Sequence, residues 1–187
     1  MRASVTLDYT TLVESMRSGH VHFGWLTPSP LVLAERLFGV RVLLTRRTET
    51  VGTHKGQISF PGGRAEPDDP SIHHTALREA EEEIGLAAEK VEILGELDQY
   101  ITVTGYRVTP VVGLIQAPFD LQLDSFEVAE AFEVPISILM DPHNHSRNRV
   151  VQNDRERYYY AVPFGRHYIW GATAGMLMNF HRYLSAE

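Results

Sequence analysis

The chain has 187 residues, of which 43% are hydrophobic, with 10 prolines and 14 glycines distributed along its length. This is the balance of one globular domain large enough to bury a core. The formal net charge of -7 argues against a protein that coats nucleic acid, since such proteins carry a basic surplus; the absence of cysteine removes disulfides, thiolate metal sites and cysteine nucleophiles.

The start Met1-Arg2-Ala3-Ser4-Val5 has no secretory pattern, and no run of about 18 apolar residues follows. The expectation is a cytoplasmic protein with no membrane partner. In chain order, Leu7, Leu12, Val13 and Met16 suit an amphipathic helix within residues 7–18. Val40-Arg41-Val42-Leu43-Leu44 reads as a core strand that delivers Thr45-Arg46-Arg47 to one end. After a loop through Gly52 and Gly56, Ile58-Ser59-Phe60 is a short strand stopped by Pro61-Gly62-Gly63. Pro70 or Ser71 begins a helix that runs to a stop at Gly85. Strands are expected near 91–94, 99–103 and 108–115, then a loop from Pro118 to Asp124. A strand at 132–134, a short helix after Pro135, a strand at 158–162 and a final helix from about Trp170 to Leu184 complete the pattern. Strands with helices at intervals indicate a sheet covered on both faces.

Glu79, Glu82 and Glu83 stand at i, i+3 and i+4 of the predicted helix, so their carboxylates share one face, while Glu81 points elsewhere. Each like-charge pair at these spacings destabilises by roughly 0.2–0.5 kcal/mol. The last helical turn adds about 0.3–1 kcal/mol per anion through the dipole. A bound cation reverses both signs. Hard oxygen donors without sulfur suit Mg²⁺ or Mn²⁺, whose chemistry with phosphates is activation of water and neutralisation of the leaving oxygen. Arg78 immediately precedes the cluster and is placed to orient it. Glu79 is one candidate for the base that takes the water's proton. A solvated acidic helix face is the alternative.

The segment from Gly63 to Leu86, ending Arg78-Glu79-Ala80-Glu81-Glu82-Glu83-Ile84-Gly85-Leu86, resembles the Nudix box. Its second half is matched at every fixed position. The first half departs, because the place of the box's first glutamate holds Pro70; the loop is one residue longer, with Asp69 or Glu66 as substitutes. The longer loop, the stretches Leu43–Arg47 and His54–Gly63, then Glu127–Pro135 and Trp170–Gly175, are similar to the coenzyme A pyrophosphatase branch of that family. Gly52 stands where relatives often carry arginine.

The resemblance implies an α/β/α sandwich with a mixed central sheet, spanning one domain over residues 1–187, with residues 1–34 as an N-terminal extension packed on it. It implies hydrolysis of the CoA pyrophosphate to 4′-phosphopantetheine, or its acyl form, and adenosine 3′,5′-bisphosphate. Glu79, Glu82 and Glu83 would bind Mg²⁺ or Mn²⁺, with a carbonyl of Gly62 or Gly63 as a further ligand. Arg78 would belong to the catalytic set, and Glu127, with Glu130 second, is the candidate for a later-loop base or ligand. Arg46, Arg47, His54, Lys55, Gln57, Gly62 and Gly63 would contact a small-molecule substrate, in a monomer or homodimer that binds no nucleic acid. Other substrates for the same chemistry are NADH, ADP-ribose or a dinucleoside polyphosphate; a nucleotide-sensing domain without catalysis is a third reading. His73-His74 and His143 with His145 lack helical metal-pair spacing and read as surface histidines. Of Tyr158-Tyr159-Tyr160, alternation puts at least one ring in the core.

Overall fold

The computed structural model describes residues 39–52, 54–152 and 155–185. The helix expected within residues 7–18 and the extension over 1–34 lie outside these residues. The strands are β1 (Arg41–Arg47), β2 (Ile58–Ser59), β3 (Val91–Glu96), β4 (Tyr100–Ile101), β5 (Arg107–Val108), β6 (Val111–Ile115), β7 (Val128–Pro135), β8 (Ser146–Gln152), β9 (Arg155–Phe164) and β10 (His167–Trp170). The helices are α1 (Ile72–Ile84), α2 (Ile136–Met140) and α3 (Gly171–Ser185). The result is a mixed α/β fold in which the strands are flanked by helices.

The ladders run β2-β1-β7, β10-β9-β8, β3-β6 and β4-β5, each antiparallel. The strand expected over 108–115 is broken at Thr109-Pro110 into β5 and β6, as a proline without an amide donor requires. β8 and β10 were not expected from the sequence, and β7 and β9 are longer than expected.

β1 sorts the core by alternation. Leu44 joins Ile58, Val134, Leu139, Val162, Ile169, Leu177 and Met178 in a cluster that includes α3. Leu43, its neighbour, packs instead against Ile84, Leu86 and Val128, on the α1 side. Leu44, Ile84, Val134, Ile169 and Leu177 are essentially inaccessible to solvent, and each such side chain contributes about 1.5–3 kcal/mol by leaving water.

The ends of α1 are fixed by local chemistry. Ser71 has extended backbone and its Oγ accepts from the His74 amide at 3.1 Å, a side-chain N-cap. At the other end Gly85 adopts φ 67°; its amide donates to the Glu81 carbonyl at 2.8 Å and that of Leu86 to the Ala80 carbonyl at 3.3 Å. This paired closure favours glycine because of its left-handed backbone. The next carbonyls are capped from a distant segment: Gln122 N–H donates to Ile84 at 2.9 Å and Asp124 N–H to Glu83 at 3.0 Å. Helix ends need such partners, and here they tie the loop before β7 to the acidic end of α1.

Candidate active site

Arg78 organises the site. Its Nε and Nη2 reach the two oxygens of Asp69 at 3.1 and 3.0 Å, a bidentate pair. The other donors are also used: Nη2 donates to the Arg64 carbonyl at 2.9 Å, and Nη1 lies 3.1 Å from Glu79 Oε1 and 3.0 Å from Glu82 Oε2. Asp69 further accepts from the Thr75 hydroxyl at 2.8 Å and the Glu66 amide at 2.9 Å. The Arg78 guanidinium, foremost, holds the Asp69 carboxyl far below the usual carboxylate range. Of the two substitutes for the displaced box glutamate, Asp69 occupies the position facing Arg78, and Glu66 supplies only its backbone amide.

The Gly62–Gly63 turn packs against the Glu79 and Glu83 carboxylates. The Gly62 amide donates to Glu83 Oε2 at 3.2 Å, so it is an N–H that faces this carboxylate here. A Cβ on Gly63 would fall against the Glu79 carboxyl group, closer than real Cβ contacts allow, so a side chain there would displace that carboxylate from its present position. Glu83 is buried, with its side chain 6% exposed, and Arg47 Nη1 is 3.6 Å from Oε1. Arg47 Nη2 also lies 3.4 Å from Glu127 Oε2. Glu127 is brought there by the loop that caps α1 and by Thr48, whose amide donates to the Glu127 carbonyl at 2.9 Å.

Burial pushes the Glu83 carboxyl up to about 7, with the Gly62 amide and Arg47 opposing and Glu127 and Glu79 adding repulsion. Burial likewise raises Glu79 against the pull of Arg78, with Glu82 and Glu127 again repelling. Around the turn stand five carboxylates (Asp69, Glu79, Glu82, Glu83, Glu127) and two guanidiniums (Arg47, Arg78), a surplus of three negative charges when all the carboxyls are ionised.

Among the described residues no group of three histidine, aspartate or glutamate side chains converges tightly enough to cage one ion. Glu82 is the reason on one side, being 60% exposed and drawn toward Arg78. The donor set nevertheless fits a hard divalent cation: it is all oxygen, over-charged, and includes a buried carboxylate whose ionisation its surroundings oppose.

The remaining residues read from the sequence make the following contacts. Arg46 and Glu130 pair with each other at 3.3 Å on the opposite face of β1 from Arg47, and Glu130 is also paired with Arg166 and His167. His54, at φ 58°, and Gln57 are held to each other, Nδ1 to Oε1 at 2.9 Å. Lys55 is exposed on the same turn. His73 lies 2.9 Å from Glu96, His74 3.0 Å from Asp69 and His143 2.8 Å from Asp141, while His145 is half-buried with Nε2 2.7 Å from the Leu139 carbonyl. The sequence reading missed Tyr106, whose hydroxyl accepts from Arg64 Nη2 at 2.9 Å and so links the β4–β5 hairpin to the Gly62–Gly63 turn.

Residues 30–154 match the NUDIX domain model, and the chain belongs to the Nudix family. It is 42% identical over 136 residues, 73% of each chain, to a protein of Photorhabdus laumondii described as "Uncharacterized Nudix hydrolase NudL". A protein of the same description from Yersinia pestis is 37% identical over 144 residues, 77% of this chain and 72% of the other. Among solved structures, a MutT protein from Methanosarcina mazei Go1 is similar at 28% identity, covering 52% of this chain and 69% of the other with a TM-score of 0.43. The family match and these relatives make the class a Nudix hydrolase. No helix among the described residues is long and apolar enough to cross a membrane.

Proposed function

We propose that the chain hydrolyses the pyrophosphate bond of coenzyme A or its derivatives, giving 4′-phosphopantetheine, or its acyl form, and adenosine 3′,5′-bisphosphate. The observation that carries the metal-dependent chemistry is the surplus of carboxylates around Gly62–Gly63, with Glu83 buried among them. Choice of CoA rests on the likeness of Leu43–Arg47, His54–Gly63, Glu127–Pro135 and Trp170–Gly175 to the CoA branch.

In this reading Glu79, Glu82 and Glu83 would hold Mg²⁺ or Mn²⁺, with Glu82 turning from Arg78 to do so. A cation held there supplies charge neutralisation on the diphosphate and acidifies the attacking water. Arg78, fixed by Asp69, sets the directions of Glu79 and Glu82. Arg47, free to turn from Glu83 and Glu127 to an incoming anion, binds a diphosphate oxygen. The Gly62 and Gly63 backbone allows close approach of the substrate, and His54, Lys55 and Gln57 line its path. Glu127, with its side chain 43% exposed, accepts the proton of the attacking water. The water oxygen joins one phosphorus as that atom's bond to the bridging oxygen breaks, and the bridging oxygen leaves on the other phosphate.

A hydrolysis panel of CoA, acetyl-CoA, ADP-ribose, NADH and a dinucleoside polyphosphate with Mg²⁺ or Mn²⁺ tests the assignment. The expected result is the highest kcat/KM on CoA or its thioester. Equal or better turnover of ADP-ribose removes CoA as the substrate. A chain that binds these nucleotides and cleaves none of them is a sensor.

A further inference from the structure

Across β1 from the acidic helix the charge balance is reversed. Arg46 turns to the face opposite Arg47, as strand alternation demands, and its Nε meets Glu130 Oε2 at 3.3 Å. From the β9–β10 turn, Arg166 Nη2 comes within 2.6 Å of Glu130 Oε1, and His167 Nε2 within 3.1 Å of the same oxygen. The His167 ring is stacked on Phe132, with centroids 3.7 Å apart and planes 6° from parallel, which fixes the imidazole plane. These four polar side chains line a cavity of about 170 Å³.

Two guanidiniums against one carboxylate leave the cavity positive. Each guanidinium carries five N–H donors; among the described residues Arg46 uses only Nε and Arg166 only Nη2 in side-chain hydrogen bonds. Glu130 thus aims the two forks without exhausting them, and planar forks suit a phosphate oxyanion. The volume is below the roughly 300–1,000 Å³ of pockets that enclose a whole small-molecule ligand. That size suits one tetrahedral anionic substituent rather than a whole ligand. The two sites share their scaffold: Arg46 and Arg47 are consecutive, about 3.8 Å apart at Cα, and Glu130 lies in the paired strand β7 with Glu127 immediately before it. A ligand that bends round the Arg47 end of β1 meets both.

We propose that this cavity binds a phosphomonoester that the substrate carries apart from its scissile diphosphate. The substrate class is then a nucleoside diphosphate derivative bearing an additional phosphate on the nucleoside. This rests on the pyrophosphatase reading for its kinetic test, though not for its binding test.

The kinetic test compares CoA with 3′-dephospho-CoA, identical but for the ribose phosphate, on the wild-type protein and on Arg166→Ala. Arg166 is 78% exposed at the side chain, so the variant is expected to fold, and circular dichroism melting checks that. The wild type is expected to favour CoA in kcat/KM, and Arg166→Ala to reduce that preference about tenfold or more, through KM, with Arg166→Lys recovering part of it. An unchanged ratio, or a wild type indifferent to the 3′-phosphate, overturns the inference. If neither compound is hydrolysed the pyrophosphatase reading fails by itself; calorimetry with adenosine 3′,5′-bisphosphate and AMP then decides. Tighter binding of the bisphosphate that is lost in Arg166→Ala supports the cavity, and equal binding of the two by the wild type overturns it.

Discussion

Arg46 and Arg47 are neighbours on one strand, yet each meets the opposite electrostatic problem. On the Arg47 face carboxylates outnumber guanidiniums, and burial pushes Glu83 up to about 7. On the Arg46 face Arg166, foremost, with Arg46 and His167 holds the Glu130 carboxyl below its ordinary range. The first arrangement is under-neutralised and gains by taking a cation; the second is over-neutralised and gains by taking an anion. A glutamate's neighbours, rather than its presence in an acidic stretch, therefore decide whether it is available for chemistry.

The sharpest way to break this contrast is to remove a carboxylate from each face and compare. Glu127→Gln is expected to lower kcat by about 10²–10⁴-fold, the range for loss of a general base, while Mg²⁺ still binds. Glu130→Gln, in the same assay, should retain most of kcat. Similar losses from the two substitutions would erase the functional distinction between the faces. Next in size is the support beneath Arg78: Asp69→Asn should reduce kcat/KM about 10–100-fold, as for partners that orient metal ligands, with Asp69→Glu partly restoring it. Full activity in Asp69→Asn would show that Arg78 needs no anchor.

The acidic face was legible because its signals are local. Ser71, Gly85 and the i, i+3, i+4 spacing of Glu79, Glu82 and Glu83 fixed α1 and its charged side from residues a few positions apart. What brings Glu127 in was not legible as geometry, since the amides of Gln122 and Asp124 reach the helix carbonyls across some forty residues of sequence. Grouping Arg46 with Arg47 as two contacts at one end of a strand overlooked alternation, which was available as a signal. β8 was missed because Ser-Arg-Asn-Arg offers no apolar stripe; its place is set by pairing with β9. β10 runs directly into α3, and its short run ahead of the helix placed from about Trp170 was given no element of its own. The arginine-bearing turn between β9 and β10 was lost with it, and with that turn the cationic cavity.

Two smaller effects follow from the proton balance of each face. Because the folded Glu83 carboxyl is raised to about 7 from an ordinary 4.5, its contribution to stability is full below about pH 4.5 and is lost as pH rises through 7. The span corresponds to a penalty on the order of 1–3 kcal/mol in metal-free protein. Melts in EDTA should therefore weaken over this range, Glu83→Gln should flatten the slope, and Mg²⁺ should restore stability at pH 7 and above to wild type but much less to the variant. A wild-type slope unaltered by the substitution would mean that Glu83 is not the group that titrates over this range.

Glu130 should show the mirror image at acid pH. Its carboxyl is lowered on folding, so its contribution is present above the ordinary 4.5 and is lost as pH falls through the depressed folded value. The partners are partly exposed, and pairs of that kind are worth about 0–1 kcal/mol, which for a domain of this size is a shift of up to roughly 2–4 °C in Tm. Glu130→Gln should lower Tm by that much near pH 6 and converge with the wild type under strongly acid conditions, whereas the Glu83→Gln difference in metal-free protein should grow with rising pH. Opposite pH trends from Glu83 on α1 and Glu130 on β7 require that one lies among anions and the other among cations. Parallel trends would remove the reversal of charge across β1.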